Sequence, residues 1–224
     1  MAEGGVFPDD HPFTVLFAGH SMIQYEMCNR NDPVLSRMNL NLEFMSLRGA
    51  WASTFLARDE VQRAIARRPH LVILWIGGND IRPEVNPSEL ARNIVEIMDA
   101  FERQPGVGCV WMTIEPRRHP RDIPVEIYKR IANSVNQKVQ RLKRGRIFIT
   151  GGRTYHPDLV GGDGIHPSPE AYTRISEKLS GTIHYYHTRW YQQRLRERDR
   201  LMRRRGLEHP DQLRVFYDRR PENQ

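Results

Sequence analysis

Apolar positions recur along this chain on two different scales. Five short runs, "FTVLFA", "LEFMSL", "HLVILWIG", "GVGCVWMTI" and "GRIFIT", are almost continuously apolar. Their length and β-branched content predict strands, and their continuity predicts strands covered on both faces, with "LVILWIG" the clearest. Between them, apolar residues return at helical spacing. "STFLARDEVQRAIARRP" carries Phe55, Leu56, Val61 and Ile65 on one stripe, with Ser53 as the expected N-cap and Pro69 beyond the end. "NPSELARNIVEIMDAFERQPG" opens on an Asn-Pro-Ser cap signal and repeats Leu90, Ile94, Ile97, Met98 and Phe101. "PVEIYKRIANSVNQKVQRLKRG" aligns Ile127, Ile131, Val135, Val139 and Leu142, and "SPEAYTRISEKLSGTIHYY" supplies a last covering helix. Strands alternating with amphipathic helices predict an α/β fold, a parallel sheet of about five strands with crossover helices.

From about Thr188 the pattern changes to "RWYQQRLRERDRLMRRRGLEHPDQLRVFYDRR". Mixed charge without a wide apolar stripe predicts a solvated helix as far as Arg205, stopped by Gly206. The expected organisation is an extension over 1–12, one domain over 13–186, and a basic, Arg-rich, helical or disordered tail over 187–224.

Composition narrows this picture. The 224 residues are 39% hydrophobic, enough for a core, and the mean hydropathy is −0.64. No window approaches the ~18 apolar residues of a membrane helix, and "MAEGGVFPDDHPF" lacks both a basic start and an apolar stretch, so no secretory signal is expected. The two cysteines, Cys28 and Cys109, have no CxxC partner, which argues against a disulfide scaffold or a zinc site and for an intracellular setting, cytoplasm or nucleus. Of the net charge of +7, most resides in residues 187–224, whose 11 arginines face 6 carboxylates; the body is nearly neutral.

Candidate chemistry falls on four loops, three directly after a predicted strand and one before the last helix. Ligand sites of open α/β sheets collect at the carboxyl ends of the strands. Asp163 and His166 lie three apart in the glycine-rich turn "GGDGIHPS", a spacing that lets a carboxylate orient an imidazole. Ser21, in "GHS", needs such a base to become a nucleophile. An acyl-transfer site also needs donors for the developing oxyanion. The N–H groups of Ser21 and Gly49 and the amide of Asn79, in "LRGA" and "GGND", are the candidates. Singly, Ser21 reads as a helix cap, Asp163 as an Asx-turn residue, and Gly49 and Asn79 as turn residues; the inference lies in their conjunction. Arg117, Arg118 and Arg121 of "IEPRRHPR" bring positive charge to the same end of the sheet, first of all as a solvated basic loop and second as groups that could attract an anionic substrate.

This conjunction resembles the SGNH (GDSL-type) hydrolase superfamily, over about Phe13 to Leu179. "AGHS" is similar to its nucleophile segment, "LRGA" to its second, "WIGGND" to its third and "DGIHPS" to its Asp-x-x-His segment. The resemblance implies a three-layer α/β/α sandwich around a flavodoxin-like parallel sheet. It also implies a serine esterase working through an acyl-enzyme without metal or cofactor, with Ser21, Asp163 and His166 as the triad. His20 stands where the family has an aspartate. It is expected to support the nucleophile loop, or with Arg117 and Arg118 to touch a small-molecule, glycan or lipid ester. The competing expectation is a weakly active or inactive protein of the same fold that binds nucleic acid, or acts as a scaffold, through residues 187–224, where arginines neighbour Tyr185, Tyr186, Trp190 and Tyr191.

Overall fold

Alternation inside the apolar runs decides which layer each residue builds. In the computed structural model, which describes residues 11–28, 32–148 and 156–210, five parallel strands run in the order β2-β1-β3-β4-β5. They are β1 (Phe13–Gly19), β2 (Leu40–Ser46), β3 (Leu71–Trp75), β4 (Gly108–Met112) and β5 (Ile147–Phe148). Ile149 and Thr150, the end of the fifth predicted run, lie outside the described residues.

Leu16, Ala18, Val72, Leu74 and Trp111 point to one face, and Phe13, Val15, Phe17, Ile73 and Val110 to the other. A side-chain period of two on strands buried on both sides produces this split. The first face is covered by α1 (Ala52–Phe55), α2 (Asp59–Arg67), α3 (Pro87–Glu102) and α4 (Val125–Leu142). The second is covered by α5 (Pro169–Arg205) and by the turns between β1 and β2. The molecule is thus the expected α/β/α sandwich.

β2 departs from expectation. It is an edge strand whose residues are mostly half-buried, with Asn41 and Ser46 exposed, so neither of its faces is fully covered. The single helix expected from Ser53 is two helices, and Ser53 is not its cap. The carboxylate of Asp80 accepts the Ala52 N–H at 2.9 and 3.0 Å from the neighbouring loop, which moves the helix start upstream. The cap of α3 is as expected, the Asn86 side chain accepting from Ser88 N–H at 2.9 Å with Pro87 next.

α5 has 37 residues, ~55 Å at ~1.5 Å per residue. Its buried positions end at Ile183 and it terminates on Gly206, left-handed at φ 63°. The composition shift at Thr188 falls inside this helix, and the backbone passes through without a break. No helix among the described residues is long and apolar enough to cross a membrane.

The connection from β1 crosses one face and that from β2 crosses the other, so the chain reverses direction between β1 and β3. Such a switch point opens a crevice at the carboxyl ends of those two strands.

Candidate active site

The loop after β1 is built by close approach. Gly19 has φ +154°, and a Cβ there would stand 1.9 Å from the Trp75 carbonyl oxygen. That oxygen accepts the His20 N–H at 3.1 Å. The His20 ring folds back so that Nδ1 accepts the Met22 N–H at 3.3 Å, and the Tyr172 hydroxyl of α5 donates to the Met22 carbonyl at 3.0 Å. Ser21 is held at the crest between these anchors. Burial, then the nearby Arg117 and His166, lowers the His20 pKa to about 3. His20 is therefore a neutral structural ring, 1% exposed; it does not line the cleft, against the expectation that it could touch substrate.

The turn before α5 is built just as tightly. Asp163 Oδ1 accepts the N–H groups of Ile165 and His166, both at 2.9 Å, and its Oδ2 accepts His166 Nδ1–H at 2.5 Å. A carboxylate cannot donate, so the ring proton of neutral His166 sits on Nδ1 and leaves Nε2 as an acceptor. The Ser21 hydroxyl lies 2.9 Å from Nε2 and donates to it. Desolvation opposes ionisation of Asp163, but the His166 ring and the two backbone N–H groups outweigh it and hold the pKa at about 2. Gly164, at φ +72°, accepts the N–H groups of Arg118 and His119 at 2.9 and 3.1 Å, and a side chain there would strike the His119 ring. Arg118 thus clamps this turn through its backbone, while its side chain reaches Asp158 at 3.9 Å on the surface. It does not line the cleft either.

Asn79 completes the constellation. Its Oδ1 accepts Arg117 Nη2–H at 3.1 Å, and its Nδ2 donates to the Ala50 carbonyl at 3.2 Å. A guanidinium has only donors, so Arg117 fixes which way the amide faces. Ser21, Gly49, Asn79, Arg117, Tyr128 and His166 share one cleft of ≈ 670 Å³. Among the described residues, neither the Ser21 N–H nor the Gly49 N–H has a protein acceptor. Also among the described residues, no group of three His, Cys, Asp or Glu side chains could hold a metal ion.

Five supporting residues carried no local signal in the sequence. Asp80 fastens the loop after β2 through Ala52, and burial, opposed by the N–H groups of Ala52 and Ser53 and by Arg82, raises its pKa to about 6. Asn136 of α4 donates to and accepts from the Ile114 backbone at 3.0 and 2.9 Å, fixing the "IEPRR" loop. Buried Glu115 accepts from the Trp75 indole N–H beneath the site. Tyr172 and Tyr128 sit on helices that the sequence predicts only as amphipathic covers. For Tyr172, a hydroxyl paired 150 positions away cannot be read from spacing.

A parallel sheet switching direction above a Ser-His-Asp chain of hydrogen bonds defines the class, an α/β/α hydrolase fold. The model of the GDSL-like lipase/acylhydrolase family matches residues 21–174, and the chain belongs to that family. Among solved structures, it resembles a lipase/acylhydrolase from Enterococcus faecalis at 16% identity and TM-score 0.61, covering 76% of this chain and 95% of that one. TesA matches at 18% identity and TM-score 0.59, covering 77% and 99%. The psychrotrophic esterase EstA from Pseudoalteromonas sp. matches at 16% and 0.57, covering 78% and 98%. At these identities the likeness shows the fold. No curated protein sequence matches the chain.

Proposed function

We propose that the protein is a serine esterase in which Ser21 attacks the carbonyl of a carboxylic ester. The observation that carries this reading is the unbroken chain Ser21 Oγ, His166 Nε2, His166 Nδ1, Asp163 Oδ2, at 2.9 and 2.5 Å. His166 takes the hydroxyl proton as Oγ bonds to the carbonyl carbon, and the ionised Asp163 stabilises the imidazolium that forms. The oxygen of the tetrahedral intermediate takes hydrogen bonds from the N–H groups of Ser21 and Gly49 and from Asn79 Nδ2. His166 then protonates the departing alkoxide, leaving an acyl-Ser21 ester. Water, deprotonated by His166, attacks that ester and releases the acid.

Arg117 acts in this scheme as a positioning residue, because it holds the Asn79 carbonyl oxygen and so presents the amide nitrogen. A small acyl group is the preferred substrate. An activated acetyl ester tests the reading: turnover by the wild type that drops to background in Ser21→Ala supports it, and equal rates in the two proteins refute it.

A further inference from the structure

The cleft around Ser21 contains more hydrogen-bond donors than the esterase chemistry uses. Arg117 is 7% exposed, and among the described residues no carboxylate lies within ion-pairing distance of it. Its partners are the neutral Asn79 amide oxygen and the face of Tyr128, 5.5 Å from ring centre to guanidinium carbon. Among the described residues, Arg117 Nε has no hydrogen-bond partner, and neither has the buried Tyr128 hydroxyl. Burial pushes that phenol's pKa well up, so it remains an O–H donor. A buried cation with no carboxylate in contact among the described residues, beside an unused hydroxyl, is costly, even with the buried Glu115 carboxylate acting on the same phenol from a distance.

The two groups are close neighbours. A Cβ placed on Gly78 would meet Arg117 Nη2 at 2.8 Å and the Tyr128 oxygen at 3.5 Å. Both line the same cleft as Ser21 and His166. What satisfies a guanidinium N–H and a phenol O–H together is an acceptor, and beside a cation the strongest acceptor is an anionic oxygen.

The rim points the same way. Arg48, Arg82 and Arg121 also line the cleft, so its lining holds four guanidinium groups and two carboxylates, Glu84 and Asp122. Arg82 lies 3.9 Å above the Trp51 ring, making one wall both flat and positively charged. Trp51 is 40% exposed, leaving its ring open to a ligand.

Resting on the esterase reading, we infer that the substrate is an ester bearing an anionic oxygen group, carboxylate or phosphate, which Arg117 and Tyr128 bind beside Asn79 while the rim arginines draw it in. The carboxylate would sit on a short acyl chain. A phosphate would sit on the alcohol.

The test compares charged esters with neutral isosteres: nitrophenyl glutarate against its methyl ester, and acetyl glycerol phosphate against acetyl glycerol. At least one charged ester should exceed its isostere by about tenfold or more in kcat/KM. That ratio should shrink as salt rises from roughly 0.05 to 0.5 M, and should fall several-fold in Tyr128→Phe and in Arg82→Gln. Thermal unfolding of each variant separates lost recognition from lost folding, and the favoured pair identifies carboxylate or phosphate. Neutral isosteres cleaved as fast as both charged esters, in a Ser21-dependent reaction, would overturn the inference and leave the esterase reading standing. If no ester is cleaved, the esterase reading fails and calorimetry with glutarate and inorganic phosphate decides. Binding that weakens in Tyr128→Phe upholds the anion site, and no binding removes it.

Discussion

Both ends of the sheet are rich in arginine and do different things with it. At the amino ends of the strands, the middle turns of α5 and the neighbouring loops enclose a groove of ≈ 720 Å³ lined by Arg68, Arg146, Arg189, Arg194 and Arg196 with aromatic neighbours. At the carboxyl ends lies the ≈ 670 Å³ cleft around Ser21. In the first, Arg189 donates to the Tyr185 hydroxyl at 2.6 Å, Arg146 pairs with Glu102, and Arg194 lies over Trp190 at 5.7 Å. Trp190 in turn packs on Phe13 and His70 at 5.4 and 5.1 Å. Among the described residues, no side chain lining this groove has a buried polar atom without a partner. In the second, Arg117 Nε and the Tyr128 hydroxyl are both in that state.

Arginine density therefore does not mark a site. Arg146, Arg189 and Arg194 are engaged by Glu102, the Tyr185 hydroxyl and the Trp190 ring. The buried donors left open beside Ser21 are the ground for the anion site inferred above. The expected nucleic-acid contact through residues 187–224 draws no support from the family match.

Substitutions sharpen the contrast, and the largest effects should fall at the carboxyl end. Asp163→Asn keeps the shape but removes the charge that fixes the His166 tautomer. Steady-state kcat should drop by about 10³–10⁴, as for a triad acid, with thermal stability little changed. Asn79→Ala removes one proposed oxyanion donor and should lower kcat by about 10²–10³ while KM moves little. Loss of KM alone would assign Asn79 to ground-state binding instead.

A pH titration probes the layer beneath. The unfolded chain protonates His20 near its ordinary pKa of 6.5, but the folded chain does so only near 3. Between those values the unfolded state binds the extra proton, so stability must fall as pH drops from 6.5 toward 3. The slope is about 1.4 kcal/mol per pH unit for one such group at most. His70, lowered to about 4 by burial and then by Arg194, His11 and His187, acts in the same direction. Asp80, raised to about 6, acts in the opposite one. The difference between His20→Asn and wild type isolates His20. Asparagine can still accept the Met22 N–H, and urea midpoints of the variant should decline less steeply below pH 6.5; parallel declines would mean that His20 is not buried neutral.

The smallest effect belongs to the amino end. Trp190→Ala removes contacts with Phe13, His70 and His187 and should cost about 2–3 kcal/mol in unfolding free energy, at the low end for losing a large aromatic because Trp190 is half-buried. Its kcat/KM for an acetyl ester should match wild type. A large catalytic loss would break the division between the two ends.

What could be read in the sequence was what is local. The strands appear as apolar runs, and Asp163 and His166 lie in one turn, so their pairing follows from spacing. Ser21 and Asn79 stood out only in conjunction with Gly49 and the Asp163-His166 pair, since each alone reads as a cap or a turn residue. What could not be read depends on distant partners. Asn136 mimics a strand edge for Ile114, 22 positions away, and Asp80 caps a helix that begins 28 positions earlier. The edge position of β2 depends on sheet order, which its apolar run does not encode. Arg117 and Arg118 are adjacent in sequence with opposite fates, one buried against Tyr128 and the other turned to Asp158. Only the path of the loop after β4 separates them.

The most direct test of the catalytic centre is chemical. A serine-reactive alkyl phosphonate, followed by intact-mass and peptide analysis, should add once to the wild type, at Ser21. Labelling should vanish in Ser21→Ala and slow by about 10² or more in His166→Ala, where the hydroxyl loses its base. An unlabelled Ser21, or equal labelling rates with and without His166, would contradict a nucleophile activated by the Asp163-His166 pair.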